Sequence, residues 1–212
     1  MISIKRSQYS PIGLQLGPNS VTLVQLTGPR NNRVVHAIAQ EQFDFDDKLT
    51  LDERDAKIAG EIRRILSDHH FKGRRAISCL GSQELFIQNI RLPQLPTEEL
   101  TKVVAWEAEE RLPYPVVDAE IRHLPAGQVR QEANTKQEVI LLACHKGILE
   151  RHLNLLEQSG LNAVAIDVEP SATLRCFHGG ARGAHSNSAN CYLNFGEAAT
   201  TVIFADQQNV LF

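Results

Sequence analysis

Asp167 and Glu169, two residues apart and followed by Pro170, form a candidate pair of carboxylates for acid–base work. An Asp at the end of a strand followed by Glu-Pro more often caps the next helix, which is the plainer reading here. Cys176, His178, His185 and Cys191 offer thiolate and imidazole, the ligand types that zinc takes. Their spacing across a Gly/Ser/Asn-rich segment fits no familiar zinc module, and no metal site is expected. Serine and histidine are frequent enough that a Ser-His-Asp order carries no information without geometry, and no catalytic residue is nominated. His69-His70 sits where a helix should end and can complement its dipole. Lys72, Arg74 and Arg75 are a short basic group able to face anionic lipid, although a solvated turn is the plainer reading.

The chain that must position these groups has 212 residues, enough for one compact domain or two small ones. Apolar residues make up 42% and charged residues 22%, and 22 Lys plus Arg stand against 25 Asp plus Glu, a formal net charge of −3. This near-balance argues against binding nucleic acid by neutralising phosphates. No apolar run has the length of a membrane-spanning helix, and residues 1–16 lack the pattern of a secretion signal, so a cytosolic chain is expected. The four cysteines form no CxxC pair, and Cys79 and Cys144 lie in apolar runs as small hydrophobes.

Alternation predicts strands over residues 12–17, 21–26 and 34–42, an antiparallel meander, followed by an amphipathic helix over 52–69 carrying Ile58, Ala59, Ile62, Ile65 and Leu66 on one face. Strands follow at 75–80 and 84–92. Thr97 is placed to cap a helix with Glu98 and Glu99 in its first turn and Leu100, Val103, Val104, Ala108 and Leu112 on its buried side, ended by Pro113-Tyr114-Pro115. Trp106, the only Trp, falls beside that stripe, exposed in part and available to a partner. Strands at 119–124 and 138–144, a helix over 146–158 ended by Gly160, a strand at 162–167 and a helix at 170–177 complete a mixed α/β pattern with an insertion near 93–163. After the small-residue linker at 179–190, a strand, a glycine turn and a strand return over 191–204, and 209–212 reads as a third strand. A meander without its covering helix would expose an apolar face, so the chain is expected to be the first half or two-thirds of a longer protein.

Strand-Gly-strand patterns at both ends of an α/β segment are what a duplicated actin-like ATPase fold would show. The motifs Ile12-Gly13-Leu14-Gln15-Leu16-Gly17, Leu92-Pro93-Gln94-Leu95-Pro96, Glu107 through Tyr114, Ile166-Asp167-Val168-Glu169-Pro170 and Asn194-Phe195-Gly196 resemble, in order and spacing, the PilM family of type IV pilus assembly proteins, relatives of FtsA. The resemblance spans essentially the whole chain. It implies an actin-like ATPase fold with the ribonuclease H-like motif, here its N-terminal portion. Residues 1–90 would form the first part of subdomain IA, 91–164 the inserted subdomain IC, 165–188 the second part of IA with a linker, and 189–212 the truncated start of IIA. The family sits on the cytoplasmic side of the inner membrane and captures the N-terminal peptide of PilN, which implies a PilN-like partner, other platform proteins and no insertion into the membrane.

By the same resemblance the two turns are nucleotide loops, with Gly17, Asn19, Ser20, Val21, Gly196, Ala198 and Thr200 as candidate phosphate contacts. Active members carry an acidic residue two before the glycine and a Lys soon after it. Gln15 and Thr22 occupy those places in the first turn, and Asn194 replaces the acid in the second. A neutral amide cannot act as a general base. The expectation is therefore a scaffold and not an enzyme, with no cofactor in this chain and ATP with magnesium left to a longer form. Peptide would be captured in the cleft between IA and IC by a groove or sheet edge. Two alternatives stay open, a polymerising FtsA-like ATPase and a GspL-like domain of type II secretion. The truncated sheet would also allow an edge-to-edge homodimer.

Overall fold

The structure, a computed structural model, describes residues 8–29, 32–45, 48–131, 134–178, 189–196 and 199–205. Its elements run β1 (Ile12–Leu16), β2 (Ser20–Thr27), β3 (Val34–Gln42), α1 (Leu51–Asp68), β4 (Arg75–Leu80), β5 (Phe86–Pro93), α2 (Thr97–Glu109), β6 (Ala119–Gln131), β7 (Asn134–His145), α3 (Lys146–Gln158), β8 (Asn162–Val168), α4 (Glu169–His178), β9 (Asn190–Phe195) and β10 (Thr200–Ala205). The chain divides into two compact units, residues 1–80 with 150–167 and residues 81–149 with 168–212.

In the first unit the expected meander forms. β1 pairs antiparallel with β2 and β2 with β3, while β4 joins β1 in parallel, giving the sheet order β3-β2-β1-β4-β8. Because side chains alternate across a strand, Ile12, Leu14, Val21 and Leu23 share the core face. Against them pack Ile58, Ile62, Ile65 and Leu66 of α1, at the spacing that puts residues three and four apart on one side of a helix, together with Leu155 and Leu156 of α3. Polar groups inside this unit are paired. The buried Asp55 carboxylate accepts from Arg151 Nε at 2.6 Å and Nη2 at 2.7 Å, a bidentate bridge, and buried His152 Nε2 lies 2.8 Å from Ser78 Oγ.

The second unit holds a three-stranded antiparallel sheet, order β5-β7-β6. Leu100, Val104 and Ala108 of α2 cover one face against Ile90, Leu92, Val139 and Leu141. Ala126, Ile140 and Leu142 on the other face pack with Leu124 and Val168. In the same unit α4 packs on the β9–β10 ribbon through Leu174, Tyr192, Ile203 and Ala205.

Three local expectations change. Pro96, not Thr97, is the N-cap of α2, and it makes no side-chain capping bond. Its fixed φ suits helix entry, so the helix starts one residue earlier than a hydroxyl cap would have it. β6 and β7 run on through the polar segment as one long ribbon with a bulge between Pro125 and Gly127. Backbone pairing needs no apolar side chain, and hydropathy therefore under-reports such a ribbon. Cys79 is half-buried, while Cys144 is buried as expected. The strand expected at 209–212 and residues 179–188 of the linker expected at 179–190 lie outside the described residues, while Asn190, the last residue of that linker, opens β9. Gly160 adopts φ +73° after α3, the left-handed conformation expected of it.

α1 begins with a capping box. The Glu53 N–H donates to Thr50 Oγ1 at 3.3 Å, and the Thr50 N–H donates to Glu53 Oε2 at 2.9 Å. The backbone bond from Thr50 holds the Glu53 carboxyl below its ordinary range. A depressed folded pKa adds stability above the unfolded value and loses it as pH falls through the folded one. Thr50→Ala keeps that backbone N–H but removes the hydroxyl that accepts from the Glu53 N–H and donates to Glu53 Oε2, and the loss of this side-chain cap should cost about 1 kcal/mol at neutral pH. Urea titration should show a lower midpoint with an unchanged slope, and the gap should narrow as Glu53 protonates in acid.

Candidate functional site

The first glycine turn is set by the register of its hairpin. Leu16 faces Val21 and Gln15 faces Thr22 across β1 and β2, and the Gly17 N–H donates to Ser20 O at 2.8 Å. The second turn repeats this spacing. Phe195 faces Thr200, Asn194 faces Thr201, and the Gly196 N–H donates to Ala199 O at 2.9 Å. Each carboxamide thus stands two residues before a glycine and directly opposite a threonine. A Cβ at position 196 would sit 2.9 Å from Ala199 O, so the turn admits only glycine there without shifting its backbone.

What surrounds each turn differs. In the first unit, Arg54 of α1 lies with its guanidinium carbon 4.8 Å from the Phe45 ring centroid, and its Nη2 donates to Pro18 O and, at 2.9 Å, to Asn19 Oδ1. The Phe43 N–H donates to Asn19 O at 2.6 Å. Asn19, a candidate phosphate contact, spends its side-chain oxygen on this arginine, and the turn carries a cation that its own sequence lacks. The Val21 side chain is fully buried in the core. In the second unit, Asn194 Nδ2 donates to a carboxylate oxygen of Glu169 in the first turn of α4. Glu169 therefore acts where the helix dipole favours negative charge, with an amide for its neighbour. Gly17, Asn19, Ser20 and Val21 belong to the first unit and Gly196 and Thr200 to the second, while Ala198 lies outside the described residues.

The remaining candidates fall outside the turns. Cys176 and Cys191 are exposed, His185 lies outside the described residues, and among the described residues no group of three or more His, Cys, Asp or Glu is arranged to hold a metal. His69 closes α1 through its backbone N–H, which donates to Ile65 O at 2.9 Å. Burial, with the charge of Glu84 adding to it, pushes the Cys144 thiol up, so it is no nucleophile. Trp106 is 71% exposed. The turn partners Arg54 and Glu169 escaped sequence reading, since neither has a local signal tying it to a turn.

Paired strand-Gly-strand hairpins on a mixed α/β framework define an actin-like fold, and the solved structures agree. A chain of a PilM–PilN type IV pilus biogenesis complex superposes with a TM-score of 0.79 at 23% identity, over 95% of this chain and 60% of that one. The cytoplasmic domain of EpsL, an inner-membrane component of the type II secretion system of Vibrio cholerae, matches with a TM-score of 0.56 at 10% identity, over 94% of this chain and 69% of that one. Residues 13–201 match the family model of the type IV pilus assembly protein PilM, and the chain belongs to that family. It spans 60% of the length of the PilM–PilN chain it resembles. Among the described residues no helix is long and apolar enough to cross a membrane.

Asn194→Asp would set a second carboxylate against Glu169. It should lower stability at pH 7 by about 1–2 kcal/mol, with the deficit shrinking as pH falls and one carboxyl protonates. Thermal melts of both forms across pH 4–7 check this. In a second test, alkylation followed by mass spectrometry should modify Cys176 and Cys191 in the native chain and Cys144 only after unfolding.

Proposed function

We propose that the chain is a docking scaffold of a type IV pilus assembly platform that captures a short N-terminal peptide of a PilN-like membrane protein and hydrolyses no ATP. It would be held peripherally at the cytoplasmic side of the inner membrane. The observation that carries this reading is the pair of closed turns. In each, the glycine N–H is spent on its own hairpin and the residue two before it is a neutral amide facing a threonine, Gln15 opposite Thr22 and Asn194 opposite Thr201. Neither amide can hold a metal-bound water as a carboxylate would or accept a proton from an attacking one. Membership of the PilM family supports the assembly role, and the PilM–PilN complex supports the class of partner.

For the capture itself, β5 supplies the best edge. It is an outer strand of the three-stranded sheet, it pairs with β7 over its whole length, and its exposed Ile87 can meet an apolar peptide side chain. β6, the other edge, is interrupted by Pro125 and a bulge, devices that discourage strand addition. A peptide adding to β5 gains main-chain hydrogen bonds for affinity and side-chain contacts for register.

Titration with the N-terminal peptide of a PilN-like protein, followed by Trp106 fluorescence and by pull-down, should reveal binding at or below tens of micromolar, about −6 to −8 kcal/mol. Backbone N-methylation of the peptide and Ile87→Lys should each weaken it at least about tenfold. No association would defeat the capture reading. Undiminished binding by Ile87→Lys would move the peptide off β5. Steady phosphate release that Gln15→Ala or Asn194→Ala abolishes would make the chain an ATPase.

A further inference from the structure

The end of the five-stranded sheet opposite the first glycine turn is basic, and no local stretch of sequence is long enough to make it so. β1 and β4 start at this end, β2 finishes there and β3 begins there, as the pairings Ile12↔Ala76 and Thr27↔Val34 fix. The same end of the sheet thus carries Arg33, at the entry to β3, Lys72 and Arg74 of the loop leading into β4, and Arg75, the first residue of β4, with β2 and β1 lying between β3 and β4. His36 Nε2, 3.0 Å from His70 O, ties the two segments together, and the His36 ring is packed 4.6 Å from that of Tyr9.

The loop is held, not loose. Gln25, fully buried, donates from Nε2 to Ser10 O at 2.9 Å and to Lys72 O at 2.7 Å, and its Oε1 accepts from the Lys72 N–H at 2.8 Å. The Asn162 N–H donates to Arg74 O at 2.7 Å. A buried amide with both ends satisfied by the backbone of one loop is a strong constraint on that loop's shape, because losing any of these bonds would strand a polar atom in the interior.

The four side chains held there are exposed, and none takes part in the ion pairs found among the described residues, whereas Arg64, Arg91, Arg111, Arg122 and Arg151 all do. The nearest acid along the chain, Asp68, is paired with Arg64 at 3.5 Å. Arg74 Nη1 donates only to the neighbouring Gly73 O, at 3.1 Å, and charge is also segregated along the sequence. Residues 1–40 contain Lys5, Arg6, Arg30 and Arg33 and no acidic residue, in a chain whose net charge is −3. Val34 and Val35, 55% and 57% exposed, stand next to Arg33.

We propose that this end of the sheet is a docking surface for an anionic lipid bilayer, with Arg33, Lys72, Arg74 and Arg75 facing the headgroups and Val34 entering the interface. Unpaired cations beside exposed aliphatic side chains are the combination that interfacial binding uses. Nucleic acid fits less well. At this end Phe71 is buried and Tyr9 is half-buried against His36, so no exposed aromatic offers a base a stacking face among the described residues. The surface lies within one unit and is independent of peptide capture at β5, so either can fail without the other.

The test is vesicle flotation of the 212-residue chain without any peptide, using phosphatidylcholine alone and phosphatidylcholine with about one-third phosphatidylglycerol. The chain should float with the anionic vesicles and not with the neutral ones, and about 1 M salt should release it. Each of R33Q, K72Q, R74Q and R75Q should weaken partition roughly fivefold, and the four together at least about a hundredfold. K57Q/K102Q, which removes two exposed charges from α1 and α2, should bind like the parent, and matching melting curves will show that the variants fold. Equal binding to both vesicle types, or undiminished binding by the folded quadruple variant, would overturn the proposal. So would retention of duplex DNA by a chain that ignores vesicles.

Discussion

A backbone N–H that closes its own turn has nothing left to give a ligand, and this constraint governs both glycine hairpins. Gly17 bonds Ser20 O and Gly196 bonds Ala199 O, so neither of these glycine N–H groups is free for a ligand. Neighbouring side chains answer the two turns differently. Arg54 adds a cation to the first, through oxygen atoms of Pro18 and Asn19. Glu169 takes the amide of Asn194 beside the second. A carboxamide suits that second position on electrostatic grounds, since it donates to the carboxylate that an aspartate would repel.

The first unit shows how buried polar groups shape a surface. His152 with Ser78 and Gln25 with the backbone of Ser10 and Lys72 are satisfied inside an otherwise apolar core, and the buried Asp55 carboxylate is met at the core's edge by the exposed Arg151. Each demands a specific geometry from chain segments far apart in sequence, because an unmet partner there costs more than a met one gains. Gln25 converts that demand into the fixed shape of an exposed basic loop. The interior therefore decides where charge is displayed outside.

Much of the framework was legible in hydrophobic pattern. Alternation located β1 to β4, the 3.6-residue period located α1 and α3, and Gly160 marked the end of α3. The failures have physical causes. The β6–β7 ribbon extends through polar residues because its hydrogen bonds belong to the backbone, which hydropathy does not report. α2 starts after Pro96 because a preset φ can begin a helix without a side-chain bond. At the candidate site, the spacing of Gln15 and Asn194 before their glycines was visible in the sequence, while the threonine facing each of them was set by strand register. The partners that give those turns their character were not visible there.

The sequence by itself determined the elements, the two hairpins and the absence of ionised groups two residues before each glycine, because strand alternation, helical periodicity and turn chemistry act between near neighbours. Only the tertiary structure decided that Arg54 reaches Asn19 across 35 positions, that Glu169 meets Asn194 across 25, and that the segments carrying Arg33 and Lys72, Arg74 and Arg75 reach the same end of one sheet. Such meetings depend on strand order and on how α1, α3 and α4 pack within their units. Neither is written in any local window, since long-range packing selects one arrangement from many that the same local pattern would permit.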